Sequence, residues 1–147
     1  MKSTNRVNIL MADDDEDDRM LMKEALDESN LANAIHFVED GEELMQYLYK
    51  TGKFSAQPTF KPGLILLDLN MPKIDGKEAL RLIKSDVDLR RIPVVILSTS
   101  KSEADVIDTY DLGVNSFICK PVDFDEWGAI SRDIKNYWFK TVTLPLQ

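Results

Sequence analysis

Residues 64–72 read Leu64-Ile65-Leu66-Leu67-Asp68-Leu69-Asn70-Met71-Pro72, and Asp75-Gly76 follows closely. Four apolar residues that stop at a carboxylate and a proline-bearing turn describe a short strand, buried on both faces, with an acid at its tip. Strands of that kind belong to parallel sheets, and open α/β sheets bind their ligands beyond the carboxyl ends of the strands. Asp68 therefore stands where such a sheet performs its chemistry. Three further runs end in the same manner. Residues 7–12 lead into Asp13-Asp14-Asp15, residues 93–97 into Ser98-Thr99-Ser100, and residues 116–119 into Lys120-Pro121. Four strand tips thus present acids, an acid, hydroxyls and an ammonium.

Helical patterns fill the spaces between these runs. Leu21, Met22, Ala25 and Leu26 mark one face of a helix over 17–28, and Leu44, Met45 and Leu48 one over 42–50. Ala79, Leu80 and Ile83 do the same for 77–85. Ser102-Glu103-Ala104-Asp105 is a capping box that opens another helix, which Gly113 closes. Trp127, Ile130, Ile134, Tyr137 and Trp138 predict a last helix over 124–140. A second strand is expected at 35–38, and the polar, proline-containing stretch 51–63 reads as a surface loop. Five βα units in this order predict an α/β domain with a doubly wound, five-stranded parallel sheet and helices on both faces. The chain of 147 residues is expected to form a single domain over 1–147, with 138–147 as a C-terminal extension.

Composition narrows the function classes. Acids outnumber bases 26 to 18, for a formal net charge of −8, and no basic stripe appears. Duplex binding depends on neutralising phosphates, so nucleic acid is not expected as a partner, nor is an anionic membrane surface. No apolar run approaches a membrane span, and residues 1–15 do not read as a signal peptide. The single cysteine, Cys119, lies in an apolar run and reads as a small core residue in a reducing, cytoplasmic compartment.

The strand tips define the chemistry. Carboxylates about 4 Å apart repel by roughly 4 kcal/mol at an effective dielectric near 20. Asp13, Asp14 and Asp68 together call for a small oxygen-preferring dication, and Mg²⁺ suits carboxylates, water and phosphate oxygens. Lys120 supplies a compact cation for a phosphate, and Ser98 or Thr99 a hydroxyl donor. An aspartate can attack phosphorus to give an acyl phosphate. A calcium loop is a poorer fit: Asp13, Asp15, Asp17 and Glu24 keep its register, but the sixth position, which needs glycine, is Asp18. Asp15 to Asp18 read as acids at a positive helix end.

Asp13-Asp14, Asp68 within Leu-Leu-Asp-Leu-Asn-Met-Pro, Ser98 after a strand and Lys120-Pro121 resemble the receiver domain of two-component response regulators, over roughly 7–137. The resemblance implies a flavodoxin-like (βα)5 fold with Asp68 as phosphoacceptor. It implies Mg²⁺ held by Asp13, Asp14, Asp68 and the backbone carbonyl of Asn70. Ser98, with Thr99 as its competitor, and Lys120 would contact the phosphoryl group, and the bond before Pro121 would be cis. Ser98 and Phe117, where many relatives carry Tyr, would form the conformational switch. Partners would be a sensor histidine kinase and a downstream protein or phosphorelay partner. The domain would then be a switch that accepts and loses its own phosphoryl group, without turnover of substrate. The tail from Tyr137, the long 51–63 loop and the lack of an output domain resemble small regulators that partner bacterial phytochromes. The tail's aromatics also make a homodimer, through the C-terminal helix and tail, the expected assembly. The alternative from another class is an aspartyl phosphatase of small phosphoesters. Such sites commonly carry a second acid two residues after the nucleophile, where this chain has Asn70.

Overall fold

The computed structural model describes residues 7–28 and 35–145. Five strands alternate with five helices: β1 Ile9–Ala12, α1 Glu16–Glu28, β2 Ile35–Val38, α2 Gly41–Tyr49, β3 Leu64–Leu67, α3 Gly76–Ser85, β4 Val94–Ser98, α4 Glu103–Asp111, β5 Ser116–Cys119 and α5 Phe124–Ile134. All strand pairs are parallel, in the order β2-β1-β3-β4-β5. The acid-tipped strand β3 is therefore central, with β1 on one side and β4 on the other.

Alternation along each strand divides the core in two. Leu10, Ala12, Ile65, Leu67, Val94 and Ile96 meet Leu44, Ala79, Leu80 and Ile83 from α2 and α3 on one face. Ile9, Met11, Leu64, Leu66, Val95 and Leu97 meet Met22, Leu26, Trp127 and Ile134 from α1 and α5 on the other. Each inner strand is thus apolar throughout because both of its faces are covered. Side-chain caps set the helix starts. Asp40, Asp75, Ser102 and Asp123 accept hydrogen bonds from the amides of Glu43, Glu78, Asp105 and Glu126. Gly113, at φ 105°, takes the left-handed turn after α4.

The final helix departs from expectation. It is α-helical only to Ile134 and continues over Lys135–Thr141 as a π-helix. The Val142 amide donates to the carbonyl of Tyr137 at 3.0 Å, five residues back. The wider turn shifts the phase of the side chains. Trp138, Phe139 and Leu144 pack against the α1–α5 side of the core, whereas Tyr137 faces outward. These three residues of the tail are therefore folded onto their own domain; residues 1–6, 146 and 147 lie outside the described residues. The 51–63 loop contains one short 3-10 turn, Gly52–Phe54. His36 of the edge strand stacks on Tyr47, with ring centroids 4.7 Å apart. Cys119 corrects the sequence reading. It is exposed, at the end of the edge strand β5, and its Sγ lies 3.8 Å from the Ser100 carbonyl. No helix among the described residues is long and apolar enough to cross a membrane.

Candidate functional site

Main-chain bonds between neighbouring strands carry their register into the loops that follow. The Asp68 amide donates to the Ala12 carbonyl at 3.0 Å, and the Asp13 amide to Val38 at 3.0 Å. The tips of β1 and β3 are thereby held side by side. Carboxylate oxygens of Asp13, Asp14 and Asp68 all lie within 4.8 Å of one another, with Asp13 and Asp68 buried and Asp14 exposed. Directly after β5 the Lys120 amide donates to the Ser98 carbonyl at 2.8 Å, and the Lys120 side chain enters this cluster. Its Nζ donates to Asp68 Oδ2 at 3.1 Å and to Asp18 Oδ2 at 2.7 Å. Asp13 Oδ2 is 2.8 Å away, but at an angle that makes an ion pair and leaves this buried oxygen without an aligned donor.

The loop after β1 is equally constrained. The Asp15 amide donates to Asp13 Oδ1 at 2.9 Å. Asp15 Oδ1 in turn accepts from the amides of Asp17 and Asp18 and opens α1. Arg19 Nη1 donates to the Asp13 carbonyl at 2.8 Å. Beyond β3, the Asn70 amide points at Asp68 Oδ1 at 3.4 Å, and the Gly76 amide donates to the Leu69 carbonyl at 2.8 Å. Ser98, at the end of β4, is fully buried, and its Oγ accepts from the Ser100 amide at 3.1 Å. That leaves the hydroxyl proton of Ser98 available to an acceptor. Thr99 beside it is exposed. Phe117 is half-buried against the α2–α3 side of the core. Asp13, Asp14, Asp68 and Lys120 therefore converge. No peptide bond among the described residues is cis, so the bond before Pro121 is trans, the isomer favoured by about 0.5–1 kcal/mol at X-Pro.

Burial and charge oppose each other here. Burial pushes Asp13 up to about 6 from its ordinary 3.8, and the pull of Lys120 and the Asp15 amide only partly offsets it. Burial alone would lower the Lys120 ammonium, but its contacts with Asp13 and Asp18 and the charge of Asp68 hold it above the usual lysine range. A buried carboxylate with an unaligned oxygen, raised in pKa and crowded by two others, fits a site for a divalent cation, which would relieve both defects. Without such a cation, the folded state holds the Asp13 proton more tightly than the unfolded chain does. Its contribution to stability is then full below about 4 and is lost as pH rises towards about 6. Urea midpoints in chelator should fall across that interval in the wild type and stay flatter in Asp13→Asn.

Asp18 is the residue that the sequence reading missed. It follows Asp15, Glu16 and Asp17 at the helix start, and in the sequence all four acids read alike. Only the fold brings Asp18, from the first turn of α1, against a lysine 102 positions away.

Residues 9–130 match the response regulator receiver domain family. The chain is a response regulator. It is 41% identical over 137 residues to response regulator Rcp1 of Synechocystis sp., covering 93% of this chain and 92% of that one. Among solved structures it resembles the phosphorylated cyanobacterial phytochrome response regulator RcpA, at 42% identity and a TM-score of 0.89, over 96% of this chain and 99% of the other. The Mn²⁺-bound form of Rcp1 aligns at 39% identity and a TM-score of 0.87, over 95% and 99%. The receiver match spans every strand tip described above, and nothing in the site favours the phosphatase alternative.

Proposed function

We propose that this response regulator is a phosphoaspartyl switch in which Asp68 accepts a phosphoryl group from the histidine of a sensor kinase. The observation that supports it most is the meeting of Asp13, Asp14 and Asp68 within 4.8 Å, with the buried Lys120 ammonium on Asp68. In the transfer, an Asp68 carboxylate oxygen forms a bond to phosphorus as the phosphorus–nitrogen bond of the phosphohistidine breaks. The electron pair returns to the imidazole nitrogen. In the reverse loss, water forms the new bond to phosphorus, Asp68 leaves as carboxylate, and the water proton passes to solvent. Asp13, Asp14, Asp68 and the Asn70 carbonyl would hold Mg²⁺, which neutralises charge on the phosphoryl oxygens. Lys120 would move from carboxylate to phosphoryl oxygen, and the Ser98 hydroxyl would donate to another. Such positioning and charge matching is most of what phosphoryl transfer asks of a protein.

Ser98 and Phe117 would couple the phosphoryl group to the α4–β5–α5 surface, by biasing two pre-existing shapes of the domain. The domain then works as a switch and not as a turnover enzyme. Its similarity to RcpA and Rcp1 supports a phytochrome-type kinase as the donor, in the cytoplasm, with a downstream protein or phosphorelay partner reading the altered surface. Incubation with acetyl phosphate and Mg²⁺ should add the mass of one phosphoryl group to the wild type and none to Asp68→Asn. Equal labelling of the variant would overturn the assignment.

The same reading takes the chain as one receiver domain whose C-terminal extension contributes to a homodimer. Tyr137 remains 52% exposed beside the half-buried Trp138, which supports a contact there. Tyr137→Glu is expected to convert a dimer to a monomer in light scattering; a wild type already monomeric at high concentration would refute this.

A further inference from the structure

The Lys120 ammonium has three protons and three carboxylates around it, but those carboxylates are not equivalent. Asp13 and Asp68 belong to the group that can ligate a cation, whereas Asp18 does not. Asp18 is also the shortest contact, at 2.7 Å, and it is carried by helix α1. It sits in the first turn of α1, where its amide donates to Asp15 Oδ1 and the next residue, Arg19, ties the helix to the Asp13 carbonyl. Only 5% of the Lys120 side chain is exposed, so water offers it little alternative solvation. A dication entering the cluster would draw Asp13 and Asp68 towards itself and repel the ammonium that had paired with them. A buried ammonium stripped of its partners is strongly disfavoured.

We propose that Asp18 is a positioning residue: it anchors Lys120 from outside the cation site, so that Asp13 and Asp68 can be yielded to a cation while the ammonium stays beside the phosphoacceptor. This rests on the assignment of Asp13, Asp14 and Asp68 to a divalent cation. Neutralising Asp18 leaves Lys120 with no carboxylate among its described ion pairs except the cation's own ligands, an effect larger than the loss of one negative charge near the cation. Asp18 thus adjusts cation affinity through Lys120, which separates it from a carboxylate that merely adds to the local field.

The test is Mg²⁺ binding to the full chain without phosphodonor, followed by amide chemical shifts or tryptophan emission. Asp18→Asn should weaken binding by about tenfold, as is usual when an outer partner of a ligand set is lost. Asp18→Glu should recover part of it. Lys120→Met should tighten Mg²⁺ binding by removing the competing cation. In the Lys120→Met background, Asp18→Asn should then have at most about a twofold effect, since the route through the ammonium is gone. Equal Mg²⁺ affinity in the wild type and Asp18→Asn, or a full tenfold loss that persists without Lys120, would overturn the proposal. A wild type that binds no Mg²⁺ at millimolar concentration would instead remove the cation assignment on which it rests. Unfolding midpoints in chelator, measured alongside, report whether each variant is folded.

Discussion

Lys120→Met should destabilise the metal-free protein by about 3 kcal/mol at neutral pH, the order seen when one member of a buried ion pair is deleted. The ammonium is the only cation in direct contact with Asp13 and Asp68 among the described ion pairs, and both carboxylates are buried. Without it, Asp13 would take up a proton more readily still or repel Asp68 at close range. For a chain of this size the loss corresponds to a fall in melting temperature of roughly 6–12 °C. The penalty should shrink near pH 4, where Asp13 is protonated in the folded state and has less need of a counter-ion. Saturating Mg²⁺ should restore most of the lost stability by mass action on the folded state. Melting curves in chelator and in Mg²⁺ at the two pH values provide the check. A variant as stable as the wild type in chelator at neutral pH would show that Lys120 does not balance this cluster.

Gly76→Ala is expected to cost at least about 3 kcal/mol, at or beyond the upper end of ordinary overpacking. A Cβ on Gly76 would stand 2.2 Å from the Asp68 carbonyl oxygen and 2.6 Å from the Leu69 Cα. Both neighbours are main chain, so no rotamer change can make room. Helix α3 would have to retreat, or the Asp68–Leu69 segment would have to move. Displacement of a reacting group by 1 Å can cost about 100-fold in rate, so labelling of Asp68 by acetyl phosphate should slow as well. Gly128→Ala is the control. A Cβ there meets only the flexible Arg132 Nη1, at 3.3 Å. Replacing glycine within a helix should leave stability unchanged or raise it by up to about 1 kcal/mol. Urea titrations of both variants, with labelling rates, decide the matter. Equal behaviour would mean that the close approach of α3 to β3 is unimportant.

The contrast between Gly76 and Gly128 also shows what could be read from residues alone. The three inner strands were legible because each is an apolar run stopped by Asp or Ser, and β5 because its run is stopped by Lys120-Pro121. Helix starts at Asp75 and Ser102 were legible through turn and capping chemistry acting over three or four positions. The cluster itself was accessible because a shared rule places the tips of parallel strands at one edge. Three features escaped, each for a local reason. Cys119 follows Phe117 and Ile118, and these apolar neighbours make it read as core although the strand is an edge. Tyr137 and Trp138 fit the α-helical stripe begun by Trp127, Ile130 and Ile134, so the change to π-helical hydrogen bonding left no mark in its spacing. Asp18 lies among five other acids, and its partner is remote in the chain. The expectation of a cis bond at Pro121 came from family resemblance, not from any local interaction, and the trans bond follows the intrinsic preference.

The uneven covering of the sheet has a mechanical consequence. Every residue of β1, β3 and β4 is buried, whereas Ser116, Phe117 and Ile118 of β5 are only half-covered and Cys119 is open. The plate that carries the acids is stiff, and its compliant margin bears both the aromatic and the lysine that must respond to them. Deformation started at the stiff centre will dissipate at that margin, so amide protons of β5 should exchange with solvent well before those of β3.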